Sequence, residues 1–149
     1  MEADKARLVG YGALVGIVSS LIGSILFAPI VIGMLSRPPI NLKTLGHDIV
    51  LIFFPVVVIC LIYSVIPGAV GGICLALLLS KRKRSMRGVW TIGMIVGACA
   101  GLITDIVVIY SNGGIDSLII QFALIAVIIA AIIGGFGSRF LAKKFNLLG

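Results

Sequence analysis

Asp105 has the strongest claim to chemistry in this chain. An acid set inside an apolar run is costly unless it meets a proton, a cation, a hydrogen-bond donor or a water-filled cavity. It stands about 7–8 Å of helical rise short of Tyr110, so it belongs near one end of its span rather than at the midplane. Thr104, Ser20 and Ser24 could supply further oxygens. Gln121 follows on the next apolar run after a short connector, at nearly the same distance from the turn. Antiparallel neighbours at one depth would let the Gln121 amide donate to Asp105, so the two form a candidate polar site within the membrane.

The other reactive residue types are thinly spread. His47 beside Asp48 has the makings of a general-base pair or proton relay, but this is the sole histidine, and no nucleophile or second acid stands close in sequence. Interfacial anchoring and capping of the following helix is the reading taken for the pair. Cys60, Cys74 and Cys99 lie in apolar runs without a CxxC spacing, and they read as small core residues rather than metal or redox groups. No cofactor, no metal and no enzymatic activity is expected.

Val9-Gly10-Tyr11-Gly12 resembles the core of the potassium-channel filter, whose stacked carbonyls replace an ion's hydration shell. The likeness covers four residues. Leu8 stands where that motif has Thr, and the stretch is expected at the cytoplasmic start of the first helix rather than in a pore loop. Gly10-x-Gly12 likewise lacks the preceding strand that gives a dinucleotide loop its meaning. Both stretches read as glycines for helix contact.

That reading extends to every apolar run, because small residues recur four apart: Gly12, Gly16, Ser20 and Ser24; Gly68, Gly72, Ala76 and Ser80; Gly93, Gly97 and Gly101; Ala126, Ala130, Gly134, Ser138 and Ala142. In lipid, close backbone approach along such stripes is the main source of helix association. Gly12, Val15, Gly16, Leu21 and Ile22 also match Gly93, Val96, Gly97, Leu102 and Ile103 at one constant offset, and Gly71-Gly72 matches Gly134-Gly135. A repeat of two spans per unit makes parallel halves, related by an axis along the membrane normal.

The elements that must carry these residues are transmembrane helices. Hydrophobic residues make up 60% of the 149 and charged residues 11%, against roughly 25% charged in a soluble domain. Four apolar runs are each long enough to cross a hydrocarbon core of about 30 Å, at about residues 8–35, 57–80, 88–110 and 117–138. The first exceeds the h-region of a signal peptide and is expected to stay as a span. Pro67 is expected to kink the second. Residues 36–56 form the longer outer connector, and Asp116 is expected to N-cap the fourth span.

Charge sets the expected orientation. Lys5, Arg7, Lys81, Arg82, Lys83, Arg84, Arg87, Arg139, Lys143 and Lys144 share one side of the alternation, and only Arg37 and Lys43 fall on the other. The positive-inside rule then puts both termini and the 81–87 connector in the cytoplasm, most simply at a plasma (inner) membrane. Lys81, Arg82, Lys83, Arg84 and Arg87 can also hold anionic lipid headgroups. Without aromatic or base-reading partners, the run excludes nucleic acid as the expected ligand.

The expectation is therefore an all-α integral membrane protein, a single domain forming a four-helix transmembrane bundle with both ends inside. Its leading role is that of a non-enzymatic structural or accessory subunit, whose stripes pack against other membrane-protein subunits or a second copy. The alternative is a small-solute or ion channel or transporter using the polar site near Asp105.

Overall fold

A chain that must satisfy every backbone amide without water has helices as its simplest solution. The computed structural model describes residues 2–35, 54–81, 85–111 and 117–148, and these form four helices: α1 (Glu2–Leu35), α2 (Phe54–Ser80), α3 (Met86–Ser111) and α4 (Ser117–Lys144). All four are long and apolar enough to cross a membrane. His47, Asp48, Asp116 and most of the 36–56 connector lie outside the described residues.

The helices overrun the apolar boundaries read from the sequence. α1 starts at Glu2 rather than Leu8, and α4 continues past Ser138 to Lys144. Nothing at Lys5 to Arg7 or Arg139 to Lys144 breaks a helix, and Lys143 and Lys144 in the last turn of α4 face the negative end of the helix dipole. Both internal prolines are absorbed, α1 running through Pro29 and α2 through Pro67.

Two ends are capped in recognisable ways. The Ser85 hydroxyl accepts from the Gly88 amide at the start of α3, the N-cap arrangement. At the end of α4, Asn146 takes a positive φ of 52°. The Leu147 amide then donates to the Ala142 carbonyl at 2.9 Å, and the Asn146 amide to the Lys143 carbonyl at 3.4 Å. This is a Schellman turn with asparagine in the glycine position. It folds Leu147 and Leu148 back onto a core of Leu75, Leu79, Val89, Leu141 and Ala142 at the basic end of the bundle.

The helices associate as two close antiparallel pairs, α1 with α2 and α3 with α4, and the pairs meet each other more thinly. Small residues line the close contacts. A methyl group built on Gly12 would meet the carbonyl oxygen of Gly72 and the side chain of Ala76, and one on Gly16 would meet the backbone of Gly68. In the second pair, Gly93 faces Gly134 and Ser138, and Gly97 faces Ala130. The steps from Gly12 to Gly93 and from Gly16 to Gly97 are equal, and so are those from Gly72 to Gly134 and from Gly68 to Ala130. The second pair thus repeats the contact register of the first, with Gly72 answering to Gly134 rather than to Gly135 as the matched glycine pairs suggested.

Large apolar side chains point the other way. Ile66 is 72% exposed, and Leu14, Ile62, Ile106 and Leu124 are also exposed. Small inside and large outside suits a hydrocarbon solvent.

Candidate functional site: the cavity between the helix pairs

Close contact within each pair and thin contact between pairs leave space at the junction. A cavity of about 720 Å³ runs there, walled by all four helices. That volume lies within the range of ordinary ligand pockets. Toward the basic end it reaches Leu75, a member of the buried cluster that closes the bundle there. Toward the other end its wall turns polar, with Ser20 and Ser24 from α1, Ser64 from α2, and Thr104 and Asp105 from α3.

The hydroxyls in this wall are mostly committed to backbone. Ser20 Oγ lies 2.9 Å from the Ser64 carbonyl across the pair and 3.1 Å from the Gly16 carbonyl of its own helix. Ser24 donates to the Ser20 carbonyl at 2.9 Å, and Thr104 to the Ala100 carbonyl at 3.0 Å. Back-bonding of this kind lets a hydroxyl sit in a helix without leaving a donor stranded. Among the described residues, two buried atoms have no such partner: Asp105 Oδ2 and Ser64 Oγ. Phe27 and Phe122 enter the same cavity and meet edge to face at 6.1 Å.

The expected pairing of Asp105 with Gln121 is not what the structure holds. Gln121 is exposed and does not line the cavity, whereas Phe122 and Ala123 do. The depth argument placed the two residues at similar heights but took no account of helix rotation. On α4 the inward face is Ala126, Ala130 and Gly134, and Gln121 lies off that stripe.

The glycines singled out in the sequence are brought together inside the chain. Gly12, Gly16, Gly68 and Gly72 meet in the first pair, and Gly93, Gly97, Gly134 and Ser138 meet in the second, where Gly101 approaches Val127 and Ala130. Of all the stripe members only Ser80 is exposed. Gly10, in contrast, has nothing within 4 Å.

The basic set expected to hold anionic headgroups is described in part. Lys81 and Arg87 are exposed, while Arg82, Lys83 and Arg84 lie outside the described residues. Arg139 and Lys144 rest on aromatic rings at this end, the first 5.5 Å from the centre of Trp90 and the second 3.8 Å from that of Tyr11. Such cation–π contacts hold a charge beside an apolar surface.

Ser64, Tyr63, Phe27 and Phe122 were not among the residues that sequence reasoning gathered around Asp105, yet all line its cavity. One signal was there to read: Ser64 stands four residues before Gly68 and extends the α2 stripe outward by one turn.

The four apolar helices define a class, a multi-pass membrane protein, here with a partly open cavity between its helix pairs. No family model matches the chain, and neither does any curated protein or any solved structure.

Proposed function

We propose that this chain is a small-solute or ion permeation protein, and that its solute occupies the bundle interior beside Asp105. One observation carries the reading: Asp105, in the wall of a cavity of about 720 Å³, has a buried carboxyl oxygen, Oδ2, with no hydrogen-bond partner among the described residues. A protein that needed only to hold a bundle together gains nothing from an unsatisfied acid, which costs stability. Positive-inside bias orients the proposal: the termini are cytoplasmic, and the polar half of the cavity lies toward the outer face.

A structural or accessory role was the stronger reading while the small-residue stripes stood free to meet a partner. The stripes are used within the chain instead, and the outward surface is built of large branched side chains suited to lipid. Association with other subunits or a second copy remains the alternative proposal, with Gly10 an open glycine at which a partner helix could approach closely.

The test is flux in liposomes holding the purified chain and nothing else. Flux of a small solute that Asp105→Asn abolishes, in protein that still elutes as one species, supports permeation. Absence of flux, together with co-purification in fixed stoichiometry with a larger membrane assembly, refutes it in favour of the subunit role.

A further inference from the structure

The chemistry of the cavity wall narrows the class of solute, on the permeation reading just given. Each hydroxyl carries one hydrogen. Ser20, Ser24 and Thr104 have given theirs to backbone carbonyls at 2.9–3.1 Å, so toward the cavity they offer lone pairs only. Asp105 adds a carboxyl group whose Oδ2 accepts nothing from the described residues. Ser19, Ser64 and Tyr63 keep hydroxyls that can turn either way, and none carries charge. No Lys, Arg, His, Asn or Gln is found among the described residues lining the cavity. The wall therefore has a surplus of acceptors and a single acid, Asp105, whose ionised form is the one negative charge it can carry.

Such a wall calls for an occupant that is positive and donates hydrogen bonds. Size and shape go further. Among the described residues no group of three or more His, Cys, Asp or Glu side chains gathers to hold a metal ion, and one carboxylate balances one positive charge. A bare monovalent ion would leave most of about 720 Å³ unfilled, including the part walled by Phe27 and Phe122. A hydrocarbon or aromatic group would cover those rings, and the ring faces also attract a cation.

We propose that the Asp105 cavity binds a monovalent organic ammonium, with N–H groups directed to Asp105, Ser24 and Thr104 and an apolar portion seated against Phe27 and Phe122. Ser24 and Asp105 come from different helix pairs, so the ammonium bridges the junction between them.

The experiment is calorimetric titration of the full chain in lipid nanodiscs, with empty nanodiscs subtracted, using four probes of similar shape. These are 2-phenylethylammonium, its N,N,N-trimethyl analogue, 3-phenyl-1-propanol and 3-phenylpropanoate. A charge-assisted hydrogen bond of roughly 1.5–3 kcal/mol corresponds to about tenfold or more in affinity, so 2-phenylethylammonium should bind at least about tenfold tighter than each of the other three. Asp105→Asn should remove that advantage, bringing the ammonium to within about threefold of the alcohol in the same variant. Thr104→Val, which keeps the shape and every charge, should weaken the ammonium several-fold and provides the same comparison if Asp105→Asn fails to assemble. Alcohol or propanoate binding as tightly as the ammonium overturns the cation assignment and leaves permeation standing, as does equal binding of the trimethyl analogue for the donor requirement. Saturation by none of the probes overturns the inference, and if liposome flux is also absent the permeation reading falls with it.

Discussion

Replacing Gly72 with alanine tests how much of the bundle depends on backbone contact. A methyl group there would lie 2.8 Å from the Gly12 carbonyl carbon and 3.0 Å from the Gly16 nitrogen, where ordinary contact begins near 3.4 Å. All of these neighbours are backbone, the Gly12 carbonyl oxygen the nearest of them, so no side chain can turn aside and α1 must move from α2 by about an ångström or more. Overfilling a close-packed contact costs about 1–3 kcal/mol. Alanine also raises helix propensity by about 1 kcal/mol over glycine, which masks part of the loss. Gly10→Ala supplies the control, because a methyl there meets nothing within 4 Å and gains propensity without the clash. The gap between the two variants then isolates the contact itself, about 1–3 kcal/mol with Gly72→Ala the less stable. Equilibrium unfolding in mixed micelles with increasing dodecyl sulfate, followed by loss of helical circular dichroism, measures it. If the two variants agree within about 0.5 kcal/mol, the argument from backbone approach is wrong.

Leucine at Gly97, which faces the Ala130 backbone, should lower thermal stability and yield far more than leucine at exposed Val107, as read by detergent melting. Ser20→Ala removes the hydroxyl bridge to the Ser64 carbonyl and should cost about 0.6–1.7 kcal/mol in the same micelle titration. A double-mutant cycle of Asp105→Leu with Gln121→Leu should be additive to within about 0.5 kcal/mol, since Gln121 is exposed; measurable coupling would restore the pair. In a background lacking the three native cysteines, cysteine at Lys83 or Asn146 should resist an impermeant thiol reagent in intact cells while one at Asn112 reacts, and the opposite pattern reverses the orientation.

The number of helices and their approximate bounds were legible because hydropathy over some twenty residues is a local property of the sequence. The stripes were legible too, since a spacing of four fixes a helix face without reference to neighbours. Which face meets which neighbour was not. A stripe looks the same whether its partner is another helix of the chain or another protein, and the choice between them rested on that. Gln121 failed for a related reason: rise gives depth, but azimuth depends on how α4 is rotated against α3. Asp105 was found from its type alone, and its surroundings were half found. Ser24 and Thr104 were close enough in register to propose, whereas Phe27 and Phe122 are apolar residues among apolar residues and carry no mark in the sequence.

The division of the bundle into two close pairs makes its halves separable in principle. Each pair completes its own backbone contacts before it needs the other, so α1–α2 and α3–α4 can enter the bilayer as successive helical hairpins and dock afterwards. A polypeptide cut within the 81–87 connector should therefore be rebuilt in the cell from two co-expressed fragments. The cavity would form only at that reunion, and neither half alone would have a place for a solute.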